Sequence, residues 1–438
     1  MSRPDPNIPP PSATNRHPNR RRFLATSSAI TVAPMFIPAR AFGANDRVIT
    51  GHIGVGGQGR SNLMQLADHA AVLCDVDSSH LATATEKLRE KTGRAVDGVA
   101  DFRRILDRKD IDAVVISTPD HWHAIPTIEA CRAGKDVYCE KPLSLTIDEG
   151  VRMVEAARQH NRIVQTGSQQ RSDAKFRLAC QLVRSGRIGK LKEVHVGIPE
   201  SNHPFGKRPP VADAQPPAAL DYDRWLGPAP MRPYNVDRVH YNFRFFWDYS
   251  GGQITNFGAH HIDIAHWGMG MDDSGPLSVE GKGEFHPQGW IDVSTACRLT
   301  YQYPNDVTMI LGQVQPDIAQ GTRFIGTEGE IFVNRGVLKS KPDGIVIDAQ
   351  KPGGADGLVD LIASIDHHQN FLDCVASREL PICDVAIGHR TATACHLANL
   401  ALRTGRKLRW DAAAQQIIDD PEAAAMQKRQ PRAPWQQA

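Results

Sequence analysis

The chain has 438 residues, with 51 Lys and Arg against 49 Asp and Glu for a net charge of +2, and 41% of its residues are hydrophobic. That length exceeds what one small core can organise, so two domains are expected, and the near balance of charge gives no sign of nucleic-acid binding. Beyond the first forty residues no stretch approaches the roughly 20 uninterrupted apolar residues of a membrane helix, so the mature chain is expected to have no membrane span. The eight cysteines form no CxxC pair and no His/Cys ligand spacing; Cys74, Cys131 and Cys139 fall inside apolar runs, where buried thiols are expected rather than disulfides.

Residues 1–18 are rich in Pro, Asn and Ser without apolar periodicity. Asn19-Arg20-Arg21-Arg22-Phe23-Leu24 follows, then a mildly apolar segment from Ala25 to Pro38 and the small-residue pattern Ala39-Arg40-Ala41. This order resembles a twin-arginine export signal cleaved near Ala41, so residues 1–41 are taken as tail and leader. Such export moves folded proteins, so a tightly bound cofactor loaded in the cytoplasm would be carried across. A periplasmic or other extracytoplasmic location is expected.

From Arg47 an apolar strand runs into Gly54, Gly56, Gly57 and Gly59, a GxGxxG pattern. A helix over Arg60–His69 and a second buried strand, Ala70–Cys74, come next, with Asp75 at its tip. Strand, glycine loop, helix, strand and acid occur in the order that binds a dinucleotide: the glycines allow backbone N–H groups close to a pyrophosphate at the positive helix end, and the acid accepts ribose hydroxyls. A carboxylate at Asp75 repels a 2′-phosphate, which favours NAD over NADP. A helix over Leu81–Thr92 and a loop and turn over Val99–Leu106 follow. Asp112–Ser117 is another fully buried strand, running into Thr118-Pro119-Asp120-His121-Trp122-His123, where a ligand at the carboxyl edge of a parallel sheet would meet the chain. After a helix over Ile125–Ala133, Val137-Tyr138-Cys139-Glu140-Lys141-Pro142 reads as a strand ending in a charged pair. Pro142 cannot donate to a ladder and keeps Lys141 out of the helical region, so the lysine sits at a strand end on the edge that carries the glycine loop.

Gly54–Gly59, Cys74-Asp75-Val76-Asp77, Thr118–His123 and Ala133–Pro142 together resemble the Gfo/Idh/MocA oxidoreductases. The resemblance implies an α/β protein: an N-terminal Rossmann domain, placed at 46–168, followed by an α/β domain at 169–438 with a large open, mostly antiparallel sheet. It implies NAD(P)-dependent oxidoreduction, with Thr118, Pro119, His121, His123, Glu140 and Lys141 joining the glycines and Asp75 around the cofactor. Lys141 matches the family lysine that meets substrate beside the nicotinamide. A homo-oligomer through the open sheet is also implied.

Farther on, Ile147–His160 and Asp173–Ser185 read as helices flanking the strand Arg162–Gly167; Gln170 and Arg171 between them are substrate-contact candidates. Lys192–Ile198 opens the second domain. Asn202–Pro233 is Pro-rich and resembles the long surface segment of exported family members, which implies an oligomer contact there. In Gly251-Gly252-Gln253-Ile254-Thr255-Asn256-Phe257-Gly258-Ala259-His260 a glycine turn precedes a helix, and spacing of four sets Asn256 and His260 on one face with Asp263 a turn beyond. Family members often carry Asp and His there. Asn256 cannot take a proton, so the acid/base role passes to His260 and Lys141, with Asn256 orienting the imidazole or a hydroxyl. His260, His261, Asp263 and His266 do not share one face, so no metal is expected and His261 and His266 are read as satisfied helix histidines. Strands over Val293–Tyr301, Val307–Gln313 and Thr322–Ile325, a turn at Gly326–Glu330 and helices over Asp366–Ser377 and Thr391–Thr404 complete the chain.

The leading expectation is an exported NAD-linked enzyme dehydrogenating a secondary hydroxyl of a sugar, polyol or glycoside, with Lys141 and His260 handling the proton. Two rivals use the same features: a redox-neutral glycosidase that oxidises, eliminates and re-reduces, and a non-catalytic cofactor-bound sugar-binding protein.

Overall fold

The computed structural model describes residues 47–203 and 208–435, so the leader lies outside the described residues. The first half alternates strand and helix: β1 (Thr50–Ile53), α1 (Gly57–Gln65), β2 (Ala70–Cys74), α2 (Ser78–Thr92), β3 (Asp97–Val99), α3 (Arg103–Leu106), β4 (Ala113–Ile116), α4 (Ala124–Arg132), β5 (Asp136–Cys139), α5 (Ile147–Gln159) and β6 (Val164–Thr166). Its six strands are parallel in the order β3-β2-β1-β4-β5-β6. Chain order reverses at β1 and β4, the switch point at which doubly wound sheets open a crevice. Register decides what borders it. Ile53 pairs with Cys74 and Ile116, and Ile116 pairs with Cys139, so Gly54, Asp75, Ser117 and Glu140 stand side by side at the carboxyl edge.

Local signals set the helix starts. Asp77 caps α2 by accepting from the N–H groups of Ser79 and His80, and α5 begins in a capping box of Thr146 and Glu149. The strands are apolar throughout because helices cover both faces of the sheet, and Val114, Ile116, Val137 and Cys139 are buried.

The second half comprises α6 (Ala174–Arg184), β7 (Leu191–Ile198), α7 (Tyr222–Leu226), α8 (Gln253–Asn256), α9 (Gly258–Met269), β8 (Ser278–Phe285), β9 (Ser294–Tyr303), β10 (Val307–Gln313), β11 (Gly321–Gly326), β12 (Glu330–Asn334), β13 (Val337–Lys341), α10 (Gly344–Ala349), α11 (His367–Ser377), α12 (Val385–Thr404), β14 (Leu408–Asp411), β15 (Gln416–Ile418) and α13 (Pro421–Ala425). Nine strands make one sheet, β13-β12-β11-β7-β10-β9-β8-β14-β15, in which β7–β10 is the parallel pair and the others are antiparallel. Its strands alternate buried and open positions, and the buried set packs with α6, α9 and α12 into the largest core.

Helix α12 joins the halves. A Cβ on its Gly388 would lie 2.0 Å from Thr166 Oγ1 on β6, so only glycine permits this approach. At its N-terminus Asp384 pairs with Arg158 of α5. All eight cysteines are buried and unpaired.

Two expectations change here. The segment expected to lie over the surface, Asn202–Pro233, is partly a buried dock: Ser78 N donates to Ala219 O at 2.8 Å and Asp221 N to Val76 O at 2.9 Å, seating α7 beside the tip of β2, and Trp225 and Leu226 are buried. The helix expected to carry Asn256 and His260 is two helices, α8 and α9, separated at Phe257.

Candidate active site

A cleft of about 960 Å³ runs along the carboxyl edge of the first sheet to α8, α9 and the β12–β13 turn. The glycine loop borders one end. Gly54 takes φ +80°, and a Cβ there would lie 2.9 Å from the Ser117 backbone; Gly57 has open space above its Cα. Helix α1 starts at Gly57, three residues before the expected Arg60, and carries no acid in its first turn, so the free N–H groups of that turn are available to an anion. Gly59 is packed beneath, where a Cβ would meet Gly54 O at 1.9 Å; it permits the turn rather than lining the cleft. Asp75 Oδ2 accepts from Val55 N at 2.9 Å and Oδ1 from Asp77 N at 2.9 Å. Burial pushes this carboxyl above its usual value, opposed by those two amides. Cradle, helix end and ribose-facing acid fit a dinucleotide.

The segment after β4 divides its labour. Thr118, Pro119, Asp120 and His123 line the cleft. His123 is clamped beneath, Nδ1 at 2.7 Å from Pro142 O and Nε2 at 2.9 Å from Thr118 O. Two carbonyls require two donors, so this ring is an imidazolium. Burial alone would lower its pKa, but Cys139, Asp120 and the Pro142 carbonyl outweigh that and push it up to about 10. His121, expected at the cofactor, points away: it is buried, with Nε2 at 3.0 Å from Trp225 O. Trp122 Nε1 donates to the same carbonyl at 3.0 Å. These two side chains hold α7, a role invisible before residues 121 and 225 are brought together.

Lys141 stands between the halves, and its peptide bond to Pro142 is cis. Its Nζ donates to Asn256 Oδ1 at 3.0 Å and Asn256 O at 3.1 Å. Asn256 Nδ2 donates to Gln253 Oε1 at 2.8 Å, which turns Oδ1 toward the lysine. Asn256 therefore orients Lys141, not the imidazole. Burial lowers the Lys141 pKa; Glu140 and Asp120 oppose this, and Arg244 and Arg335 add to it. Glu140 is a hub, accepting from Asn62 Nδ2 at 3.0 Å, Gln169 Nε2 at 3.1 Å and Lys141 N at 3.2 Å.

His260 faces the cleft from α9, 8% exposed, and its buried Nδ1 has no hydrogen-bond partner among the described residues. Burial, with Lys141 and Arg335 adding, drives its pKa well below 6.5, so the ring is neutral. Gln170 also lines the cleft, its Nε2 donating to His260 O at 3.3 Å. Arg171 does not reach it. It is 1% exposed and forked onto Asp263 at 2.8 and 2.9 Å and onto Asp272 at 2.7 and 3.0 Å, so the expectation of a substrate contact is corrected: two carboxylates hold the guanidinium inside the core. His266 Nε2 lies 2.6 Å from Tyr303 Oη, but its Nδ1 has no hydrogen-bond partner among the described residues, so the expected satisfied histidine is met at one nitrogen only. His261 does not conform, since neither ring nitrogen has a partner among the described residues.

Several cleft residues were not foreseen. Asp120 sits beside Lys141 electrostatically and accepts from Ser250 Oγ at 2.5 Å; its pKa is raised by burial. It brings the negative charge that Asn256 lacks, from the other half of the chain. Arg224, Trp225, His240, Tyr241, Phe243 and Arg244 come from the strap between β7 and α8. Spacing gave no sign of them, because they join the site only when α7 docks. Asp77, His80 and His240 bring ligand atoms within 4.8 Å of one another. Asp77 already caps α2 and pairs with His240 at 3.3 Å, so the group works as a clasp between strap and Rossmann domain.

The cleft thus brings the glycine cradle, the start of α1, Asp75 and the buried Lys141 together. Residues 49–168 match the family described as "Oxidoreductase family, NAD-binding Rossmann fold", and residues 181–437 match "Oxidoreductase family, C-terminal alpha/beta domain". The chain belongs to the Gfo/Idh/MocA oxidoreductase family, and its cofactor is NAD(H). Among its relatives, inositol 2-dehydrogenase 2 of Saccharopolyspora erythraea is 30% identical over 234 residues, 51% of this chain and 55% of that protein. The alpha-N-acetylgalactosaminidase of Shewanella oneidensis is 29% identical over 175 residues, 36% of this chain and 38% of that protein. The matches thus span less than two thirds of these relatives. Among solved structures, aldose-aldose oxidoreductase from Caulobacter crescentus superposes with a TM-score of 0.60 at 19% identity, covering 83% of this chain and 99% of that one.

Proposed function

We propose that the protein dehydrogenates a secondary hydroxyl of a sugar, polyol or glycoside, with Lys141 and His260 managing the hydroxyl proton. The observation that carries this reading is the placement of a pKa-lowered lysine and a neutral histidine in the cleft that also holds the glycine loop. NAD supplies the hydride acceptor. Lys141 hydrogen-bonds the reacting hydroxyl and relays its proton, His260 accepts it, and Asn256 fixes the lysine by its side-chain and main-chain oxygens. Gln170 borders the sugar, and Gly54, Gly56, Gly57, Asp75, Thr118 and Pro119 hold the dinucleotide. The strap and its clasp favour tight cofactor retention. Purified protein incubated with a panel of polyols and glycosides tests the reading by NADH formation; absence of turnover with every member would favour a cofactor-bound sugar-binding protein.

A second reading is favoured by the similarity to an alpha-N-acetylgalactosaminidase: oxidation, elimination and re-reduction with no net NADH. Aglycone release without accumulating NADH distinguishes it.

The twin-arginine export reading rests on Arg20, Arg21, Phe23 and Leu24. Replacing Arg20 and Arg21 together by lysine should hold a reporter fusion in the cytoplasm. Among the described residues no helix is long and apolar enough to cross a membrane. Assembly as a homo-oligomer through the open sheet completes the proposal, and native mass measurement tests it.

A further inference from the structure

The substrate end of the cleft carries more positive charge than hydride and proton transfer require. Arg335, in the turn between β12 and β13, donates from Nε to Gln170 Oε1 at 3.2 Å, and its guanidinium carbon lies 5.6 Å from the Phe257 ring centre. The rest of that guanidinium makes no hydrogen bond or ion pair with the described residues. Arg244, from the strap, has its guanidinium carbon 4.0 Å over the Tyr241 ring, and its buried Nε has no hydrogen-bond partner among the described residues. Other cleft arginines are neutralised: Arg103 lies 3.5 Å from Asp101 and 3.6 Å from Glu129, and Arg224 lies 3.5 Å from Asp221.

The nearby acids do not balance the two free guanidinium groups. Glu140 is occupied by Asn62, Gln169 and the Lys141 amide, and Asp120 takes Ser250 while facing the His123 imidazolium. Lys141 adds a further ammonium whenever it is protonated, and His260 is neutral. The buried Arg244 Nε without an acceptor is costly, whereas Arg335 is exposed at the cleft mouth with its remaining N–H groups open to solvent; a neutral polyol supplies hydroxyl oxygens but no countercharge to either. A carboxylate supplies both and matches the planar fork of arginine.

We propose that the substrate is an acidic sugar, a uronic acid or its glycoside, whose carboxylate is held by Arg335 with Arg244 supplying the second positive charge. This rests on the reading of the cleft as a sugar dehydrogenase site. Because charge-assisted bonds gain more than neutral ones, removal of the substrate charge should cost roughly tenfold or more in kcat/KM.

The test compares NAD-loaded protein on uronides of gluco, galacto and manno configuration with their neutral methyl esters and the parent glycosides, following NADH and aglycone. The expected result is a uronide preferred over its methyl ester by about tenfold or more, with that ratio collapsing toward one in R335Q and partly restored in R335K. An ester or neutral glycoside turned over as well as the acid overturns the proposal and leaves the dehydrogenase reading standing; no turnover of any member removes both. Faster turnover of a sugar 6-phosphate or 6-sulfate overturns the carboxylate assignment. NAD titration separates the second arginine: R244Q that weakens NAD binding while keeping the acid preference assigns Arg244 to the cofactor and overturns its part.

Discussion

At the scale of single residues, Lys141 is decided by three neighbours of different kinds. Its ammonium is desolvated, faces Asn256 at 3.0 Å and feels Asp120 and Glu140 against Arg244 and Arg335. Lys141→Ala should lower kcat about 10²- to 10⁴-fold while NAD binding measured by titration changes far less. Asn256→Asp is the sharper probe. A carboxylate on Lys141 favours the ammonium, so the amine loses its proton only at higher pH, and the acidic limb of the kcat/KM profile should move to more alkaline pH; an unmoved limb would remove Lys141 as the titrating base. Of this site, Lys141, Asn256 and His260 were legible because each sits at a motif end with a local reason to face a ligand. Asp120 was passed over, since its importance lies in closeness to Lys141 and Ser250, partners 21 and 130 positions away in sequence.

At the scale of elements, the second domain hangs on a buried ion triad rather than on hydrophobic contact alone. Arg171 links the entry of α6 to Asp263 in α9 and to Asp272 just after it, and all three are shielded from solvent to differing degrees. Arg171→Met should destabilise the protein by about 3–5 kcal/mol, seen as a lowered denaturant midpoint, because two carboxylates are left facing the core unpaired. The family resemblance had set Arg171 beside the substrate, since in that family the loop after the last Rossmann strand borders the cleft. The loop does border it, through Gln170, but adjacent residues point opposite ways. The break at Phe257 was equally hidden: i,i+4 spacing reads the same through one helix or across two short ones.

At the scale of the whole molecule, buried histidines set the response to acid. Burial is the first cause that holds His52, His121, His261 and His396 down to about 3 and His266, His367 and His389 down to about 4. Their folded values lie below the unfolded value near 6.5, so the unfolded chain takes up protons first. Their contribution is complete above about pH 6.5 and is lost as pH falls toward 4, at up to about 1.4 kcal/mol per pH unit for each ring. Thermal midpoints should therefore drop steeply below pH 6, while His123, held up near 10, adds a separate loss as pH rises above about 6.5; a flat profile from pH 6 to 4.5 would contradict the neutral burial of these rings.

The amino-acid sequence by itself determined the Rossmann half, because its signals are local: an apolar strand, a glycine loop, an acid at the next strand tip and a proline after Lys141 each act within a few residues. Beyond it, periodicity gave α6, β7, β9, β10, β11, α11 and α12 but not β8, β12, β13, β14 or β15. Only the tertiary structure decided which polar side chains look into the cleft. Docking α7 turns His121 and Trp122 to Trp225 and carries Arg244 into the site, while the α6–α9 core takes Arg171 away from it. Those choices depend on which distant carbonyl or carboxylate satisfies each buried group, a pairing that exists only once the chain has folded.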